Sequence, residues 1–191
     1  TLEDQAVMPI LAEHEMGMLD EATIQARLNA NPVYPSLFKL AFPEDPAPMS
    51  LKNIGTAIGS FERGLLTPSR FDRFLAGDYS LLNDQELRGL DTFISLRCMT
   101  CHNGVGIGGS NYTRLGVAEA YTTQDVGRFA VTNLEEDRAV FKVASLRNVA
   151  ETAPYLHDGS ISTLEEMVSL MARYQLGKSV TEAEVADVVA F

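Results

Sequence analysis

Hydrophobic residues recur at helical spacing in separate stretches of this chain, and residues that start or stop helices border most of these stretches. Residues 20–30 form one such stretch, which opens at Asp20. A longer one follows Ser50 and closes before Pro68. Its apolar positions fall on one stripe of a helix: Leu51, Ile54, Ile58, Phe61 and Leu65. The pattern predicts two helices, with the proline-rich stretch 42–48 as the connector between them.

Three further helices are predicted by capping boxes, in which a polar residue is followed three positions later by glutamate. The pairs are Asn83 with Glu86, Ser162 with Glu165, and Thr181 with Glu184. The first of these helices is expected to bury Leu87, Leu90 and Ile94. It should run directly into Cys98, and the second helix should end at Gly177.

The stretch from Asn103 to Ser160 has almost no periodicity and is rich in glycine, so it contains more loop than a compact domain normally does. A bound prosthetic group would explain this, because loops can then pack on the cofactor instead of on each other. No convincing pair of strands is evident. We therefore predict an all-α protein with long loops, divided near residues 66–80.

The charge of the chain narrows the possible functions. Its 15 Lys and Arg are scattered among 26 Asp and Glu, whereas nucleic acid binding needs clustered basic residues. No apolar run approaches the roughly 18 residues that would indicate a membrane span. We expect a protein that binds no nucleic acid and spans no membrane.

Both ends of the sequence are typical of a piece of a longer protein. No charged and apolar leader begins at Thr1, so we expect that any export signal has been removed. The helix predicted from Thr181 onward is still running at Phe191, without a stop signal.

Residues 98–102 read Cys-Met-Thr-Cys-His, which is the attachment pattern of c-type haem. Two thiols at this spacing can add to the two vinyl groups on one edge of the porphyrin. The next residue, His102, can present its imidazole to the iron. The motif predicts one covalently attached haem c, held by Cys98 and Cys101, and electron transfer in an exported, oxidising compartment.

Two other uses of these thiols fit the sequence poorly. A zinc site would need two more ligands, and only His14 and His157 remain, neither in a paired spacing. A redox dithiol should follow a strand, whereas a helix is predicted before Cys98.

The sixth ligand of the iron is left open by the residues themselves. Met167 and Met171 are the methionines that follow the motif, and they lie about 6 Å apart along one helix face, so at most one should reach the iron. By spacing alone, either is more readily explained as an ordinary core residue. His157 would give bis-histidine ligation instead. The choice matters because a thioether ligand raises the reduction potential relative to histidine.

Several segments resemble the second haem domain of the bacterial di-haem cytochrome c peroxidases. They are residues 98–109, 141–149, 152–160 and 163–177. Shorter segments match the same family in order: 3–5, 14–17 (HEMG), 61–68 and 71–78. The resemblance covers nearly the whole chain.

This resemblance implies the fold and the role of each part. Residues 67–191 would form a class I cytochrome c-like domain with long loops, the C-terminal electron-transfer domain. Residues 1–66 would be the remainder of a second cytochrome c-like domain, the N-terminal peroxidatic one. The haem of this chain would be the high-potential one through which electrons arrive, with His102 and Met171 as its axial ligands.

The resemblance also implies a calcium ion between the two domains. Its ligands would include the backbone carbonyls of Thr152 and Pro154. No acidic calcium loop in the sequence would have revealed such a site.

Glu15, in the HEMG segment, corresponds in this family to the acid/base residue over the peroxidatic iron, and Gln5 corresponds to its polar neighbour. Heterolysis of the peroxide O–O bond needs a proton moved from the near to the far oxygen, and a carboxylate can carry it. Without the resemblance, Glu15 would be interpreted as a solvated charge.

The sequence departs from the family pattern in two respects. The first CxxCH motif, its distal ligand and the tryptophan between the two haems are absent. Ala144 stands where the family usually has proline, a minor change to a turn.

The function implied is that of a periplasmic di-haem peroxidase, commonly a homodimer, that takes electrons from a small cytochrome c or cupredoxin and reduces hydrogen peroxide. One alternative is a MauG-like relative that oxidises a protein side chain; that branch carries tyrosine in place of the methionine, so Met171 argues against it. The other is a simple c-type electron carrier, against which the peroxidase-like segments before residue 66 argue.

Overall fold

The structure of the protein is a computed structural model that describes residues 1–191 as two units, Thr1–Pro68 and Ser69–Phe191. Helices dominate both units, and two three-residue strands are present in the second. The prediction of a mainly helical protein is confirmed, while the class I cytochrome c detail and the role of each unit stay predictions. None of the helices has the length and apolar character needed to cross a membrane.

The first unit contains four helices: α1 Leu2–Leu11, α2 Glu21–Asn29, α3 Val33–Ala41 and α4 Leu51–Glu62. Helices α1 and α4 approach closely because two glycines of α4 carry no side chain at the contact. A Cβ added at Gly55 would lie 2.5 Å from the carbonyl oxygen of Glu3, and one at Gly59 would lie 3.2 Å from its amide nitrogen. Glu3 is further held by an ion pair with Arg63 at 2.5 Å.

The predicted starts of α2 and α4 are confirmed. Asp20 accepts a hydrogen bond from the amide of Thr23 at 2.8 Å, and Ser50 accepts one from the amide of Asn53 at 3.3 Å. These bonds satisfy amides that have no partner inside the helix.

The predicted end of α4 was wrong. The helix stops at Glu62, where the amide of Gly64 bonds to the carbonyl of Phe61 and closes a tight turn. Leu65 therefore lies outside the helix. Phe61 and Leu65 are 68% and 60% exposed instead of lying on a buried stripe.

Helix α3 was missed, because residues 33–41 lie beside the stretch taken as a connector. Pro32 is its N-cap and Pro35 lies in its first turn. Proline is tolerated at these positions because the first amides of a helix have no intrahelical partner in any case.

The second unit contains five helices and two strands: α5 Arg70–Leu75, α6 Asp84–Ser95, α7 Phe129–Thr132, α8 Leu164–Leu170, α9 Glu182–Ala190, β1 Tyr112–Arg114 and β2 Val140–Lys142. Most of the remainder of 103–160 is irregular, as predicted. Strands β1 and β2 pair antiparallel, with Thr113 opposite Phe141. The expectation of no strand pair was therefore wrong, since strands of three residues are too short to show alternation.

Helices α6 and α9 pack against each other around Gly89. A side chain at this glycine would overlap the backbone carbonyl of Asp187. Next to this contact, Phe93 and Phe71 pack their rings on Phe191, with ring centroids 5.8 and 5.1 Å away.

The predicted buried face of α6 was wrong. Leu87 and Ile94 are 38% and 48% exposed, and Leu90 is only half-buried. The buried residues are Glu86, Gly89 and Phe93. The contact with α9 is centred on Gly89, and glycine is not counted as apolar in a hydrophobic pattern. The buried face of α6 is therefore shifted by one residue from the predicted one.

The helix after residue 162 begins one residue later than predicted. Thr163, and not Ser162, is the N-cap, because its hydroxyl accepts from the amide of Glu166 at 3.2 Å. After Leu170 the backbone widens into a π-helical turn, Met171–Gln175, and it leaves the helix before Gly177.

Candidate haem site

A single tight turn carries the whole CxxCH motif. After α6, Arg97 takes a left-handed conformation with φ 68°, and the chain then forms a 3₁₀ turn at Cys98–Thr100. The amides of Cys101 and His102 both donate to the carbonyl of Cys98, at 3.2 and 3.0 Å. The two thiols are free and half-buried, and burial raises the pKa of Cys98.

This turn forms one wall of a cavity of about 750 Å³. Most of the lining is apolar, and its larger apolar side chains include Leu115, Val117, Phe141, Val143, Leu146 and Leu156. Cys98, Cys101 and His102 lie on the cavity, and so do Met167 and Met171. The volume falls within the range of roughly 300–1,000 Å³ that is typical of cofactor sites.

The surroundings of His102 suit an imidazole that ligates a metal. Its Nδ1 lies 3.2 Å from the carbonyl oxygen of Ala144, so Nδ1–H donates there and Nε2 keeps its lone pair. Burial lowers the pKa of His102, which favours the neutral ring that a metal requires. The thiol pair, the neutral imidazole and the apolar cavity together fit haem c.

Residues 143–147, which we call the strap, run alongside the loop that follows His102. The amide of Gly109 donates to the carbonyl of Val143 at 2.8 Å, and that of Leu146 donates to Ile107 at 3.1 Å. Gly108 has φ +123°, and any side chain there would overlap the carbonyl of Ala144. Glycine at this position therefore lets the strap reach His102.

Met167 and Met171 are both half-buried on the same cavity, so the structure brings both candidate sulfur ligands to it. They differ in backbone setting, because Met167 lies within α8 and Met171 opens the π-helical turn. Single π-helical turns within helices are frequent at functional sites.

Gln175 anchors the π-helical turn, and sequence reasoning missed it. Its side-chain oxygen accepts from the amides of Gly116 and Val117, at 2.7 and 3.0 Å, and its side-chain nitrogen donates to the carbonyl of Arg114 at 3.1 Å. The partners are about 60 residues away in sequence, so no local signal could have identified this role.

His157, the alternative iron ligand, is held by a carboxylate on the cavity wall. Its Nδ1 lies 2.6 Å from Asp125, and its ring packs against Phe141 with centroids 5.5 Å apart. The imidazole is largely exposed.

Thr152 and Pro154, the candidate calcium ligands, also lie on the cavity. Neither backbone carbonyl accepts a hydrogen bond from the protein, so both oxygens are available to a cation. No group of three or more His, Cys, Asp or Glu side chains that could hold a metal ion is present.

Glu15 and Gln5 lie in the first unit, and the structure does not join them by a hydrogen bond. Gln5 is on α1, and Glu15 is in the turn that follows it; both are exposed. The backbone of that turn is ordered by bonds back to α1, among them those from Met16 to Pro9 and from Met18 to Ile10. The side chain of Glu15 makes no hydrogen bond.

Comparisons with known proteins agree on one family. The family model described as "Di-haem cytochrome c peroxidase" matches residues 1–80. Over its whole length the chain is 42% identical to cytochrome c551 peroxidase of Nitrosomonas europaea and 39% identical to that of Pseudomonas aeruginosa, covering 57% and 56% of those proteins. The chain thus spans little more than half the length of the curated relatives it matches.

Other relatives carry a different name. The methylamine utilization protein MauG of Methylophilus methylotrophus is 32% identical over the whole chain, which covers 60% of it. A crystal structure of a MauG-like protein associated with microbial copper homeostasis matches with a TM-score of 0.83 and 32% identity, over all of this chain and 67% of that one.

Proposed function

Because this chain belongs to the di-haem cytochrome c peroxidase family, we propose that it is part of a periplasmic enzyme that reduces hydrogen peroxide to water. The electrons would come from a small cytochrome c or cupredoxin. Residues 67–191 would hold the haem that accepts them, and the peroxidatic haem would lie in the rest of the complete protein. We further propose that the complete enzyme is a homodimer.

The observation that carries this proposal is the apolar cavity onto which the thiols, the half-buried imidazole and Met171 converge. Cys98 and Cys101 would hold haem c covalently, and His102 and Met171 would ligate its iron. Bound haem c supplies one-electron redox chemistry. The imidazole is kept in one orientation by the carbonyl of Ala144, and the cavity lining is mostly apolar.

Glu15 would act as the proton carrier. Reduction of one peroxide to two waters consumes two electrons and two protons, and one proton must move from the near to the far oxygen. An exposed carboxylate on an ordered turn can take that proton from the near oxygen and donate it to the far one, while the two protons consumed come from solvent. Gln5 would contribute a polar side chain beside it.

Calcium is proposed at the carbonyls of Thr152 and Pro154. Both oxygens are free of hydrogen bonds and belong to the segment that lines the haem cavity. Oxygen atoms are the ligands that calcium prefers.

The second candidate function is oxidation of a protein side chain. The named MauG relatives and the MauG-like structure favour it. Met171 favours the peroxidase, because the resemblance places tyrosine at this position in the side-chain-oxidising branch.

The proposal is tested by counting haem and measuring turnover. The pyridine haemochrome assay should give one haem per 191-residue chain and two per complete protein. The chain by itself should exchange electrons but not turn over peroxide, whereas the complete protein should do both. A second haem in this chain, or rapid peroxide turnover by it, would reverse the assignment of the two haems.

A further inference from the structure

Arg147 joins the strap to two other parts of the second unit. Its Nη1 and Nη2 donate to the two carboxylate oxygens of Asp72 on α5, at 2.9 and 2.6 Å. Its Nε donates to the carbonyl of Val105, in the loop after the CxxCH motif, at 2.6 Å. A bidentate arginine–carboxylate pair is among the stronger and more directional polar contacts in proteins.

The position of the Arg147–Asp72 pair indicates a structural role and not a role in the chemistry. Neither side chain lines the cavity. Both are about one-third exposed, so the pair is partly shielded from solvent. Asp72 also accepts from the amide and hydroxyl of Ser69, at 2.6 and 2.8 Å, and therefore cannot swing away without breaking the capping box at the start of α5. The guanidinium of Arg147 holds the pKa of Asp72 well below its usual range.

The strap held by Arg147 is the same segment that fixes His102. Ala144, three residues before Arg147, supplies the carbonyl at 3.2 Å from the imidazole Nδ1. Between them, the hydroxyl of Ser145 donates to the carbonyl of Gly106 at 2.5 Å. Every residue from Ala144 to Arg147 therefore contacts the motif or the loop after it.

We infer that Arg147, through its ion pair with Asp72, is a positioning residue for His102: it presses the strap onto the loop and so keeps the carbonyl of Ala144 on the imidazole. The inference rests on the proposed role of His102 as the iron ligand. Nothing in the local sequence assigns this role, because Asp72 and Val105 lie 75 and 42 residues away.

The hydrogen bond that Nδ1–H donates to the carbonyl of Ala144 has an electronic consequence. A ligating histidine that donates its other ring N–H is a stronger base, and it stabilises the oxidised metal more than the reduced one. Loosening the strap weakens this bond, makes the imidazole a weaker donor, and should raise the reduction potential of the attached haem.

The test compares R147Q with R88Q in the haem-loaded complete protein. Arg88 forms a similar bidentate pair with Asp187, at 3.0 and 3.2 Å, which joins α6 to α9 without touching the strap. Both variants lose one tertiary ion pair, so a merely structural role predicts similar losses of thermal stability and no change in potential. We expect R147Q alone to raise the midpoint potential, by up to about tenfold in the one-electron equilibrium, or about 59 mV.

A second variant, R147K, keeps the test valid if R147Q does not fold. R147K keeps the charge but cannot bond Asp72 twice and Val105 at once, so its potential should lie between those of R147Q and the unaltered protein. A shift in R147Q and R147K no larger than that in R88Q, or a downward shift, would overturn the inference while leaving the proposed function intact. Absence of covalent haem from the unaltered protein would overturn both.

Discussion

The two segments that carry the proposed chemistry, the turn around His102 and the turn around Glu15, are built in contrasting ways. Both the backbone and the side chain of His102 are fixed. Its amide donates a hydrogen bond to the carbonyl of Cys98, and its ring donates one to the strap. Glu15 has an ordered backbone, but its exposed side chain makes no hydrogen bond. One functional group is preorganised within its own unit, and the other is not.

This difference matches what each group is proposed to do. An axial ligand must keep one orientation and one protonation state while electrons are exchanged, so burial and a fixed hydrogen bond suit it. A proton carrier must exchange protons with its surroundings, so an accessible carboxylate on a fixed backbone suits it. Substitutions should therefore separate the two sites cleanly.

The largest expected effect is that of Glu15→Gln in the complete protein. Peroxide turnover should fall by about 10²- to 10⁴-fold, since the amide cannot accept and release the proton. The spectrum and potential of the haem at Cys98 should stay unchanged. Steady-state peroxide consumption and a redox titration check the two halves of this prediction.

Glu13→Gln is the matched control for this experiment. Glu13 lies in the same turn and is also exposed, and its replacement by glutamine removes the same charge. Equal losses of turnover in the two variants would mean that surface charge, and not proton transfer, is responsible.

A smaller effect, confined to the second unit, is expected from substitution of Met171. Met171→His should lower the reduction potential of this haem, because histidine stabilises the oxidised iron more than a thioether does. Each roughly 59 mV corresponds to tenfold in the one-electron equilibrium, and we expect at least one such step. The ferric spectrum of the unaltered protein should show a methionine-to-iron charge-transfer band at its red edge.

Met171→Ala and Met167→Ala provide the matched pair. Both side chains line the same cavity, so loss of packing affects both. The charge-transfer band should disappear only in Met171→Ala. If the band persists in Met171→Ala, or disappears in Met167→Ala, the assignment of Met171 as the ligand is wrong.

The smallest effect of a substitution is expected at the proposed calcium site. Exhaustive chelation should lower the peroxidase activity of the complete enzyme and perturb its haem spectrum. Thr152→Ala should change both far less, because the proposed ligand is a backbone carbonyl that alanine also supplies. If chelation leaves both measurements untouched, the site is absent or has no role in activity.

Much of the helical framework was predictable from the sequence, because helix starts depend on neighbouring residues. Asp20, Asn83 and Thr181 each bond to an amide two or three positions ahead, as their motifs predict. Where the local signal was ambiguous, as at Ser162 and Thr163, the start was misplaced by one residue. Helix α3 was missed because Pro32 and Pro35, which lie at its start, were interpreted as residues that end a helix.

The haem motif was also fixed by sequence alone, since the spacing of two thiols and an imidazole follows from the covalent chemistry of the porphyrin edge. Only the tertiary structure decided what surrounds it. Gly89 sets the buried face of α6, Gln175 anchors the turn at Met171, and Arg147 holds the strap. Each of these contacts joins residues tens of positions apart in the chain. Hydrophobic periodicity and capping signals describe only neighbours within a few residues, so partners this distant are chosen by packing.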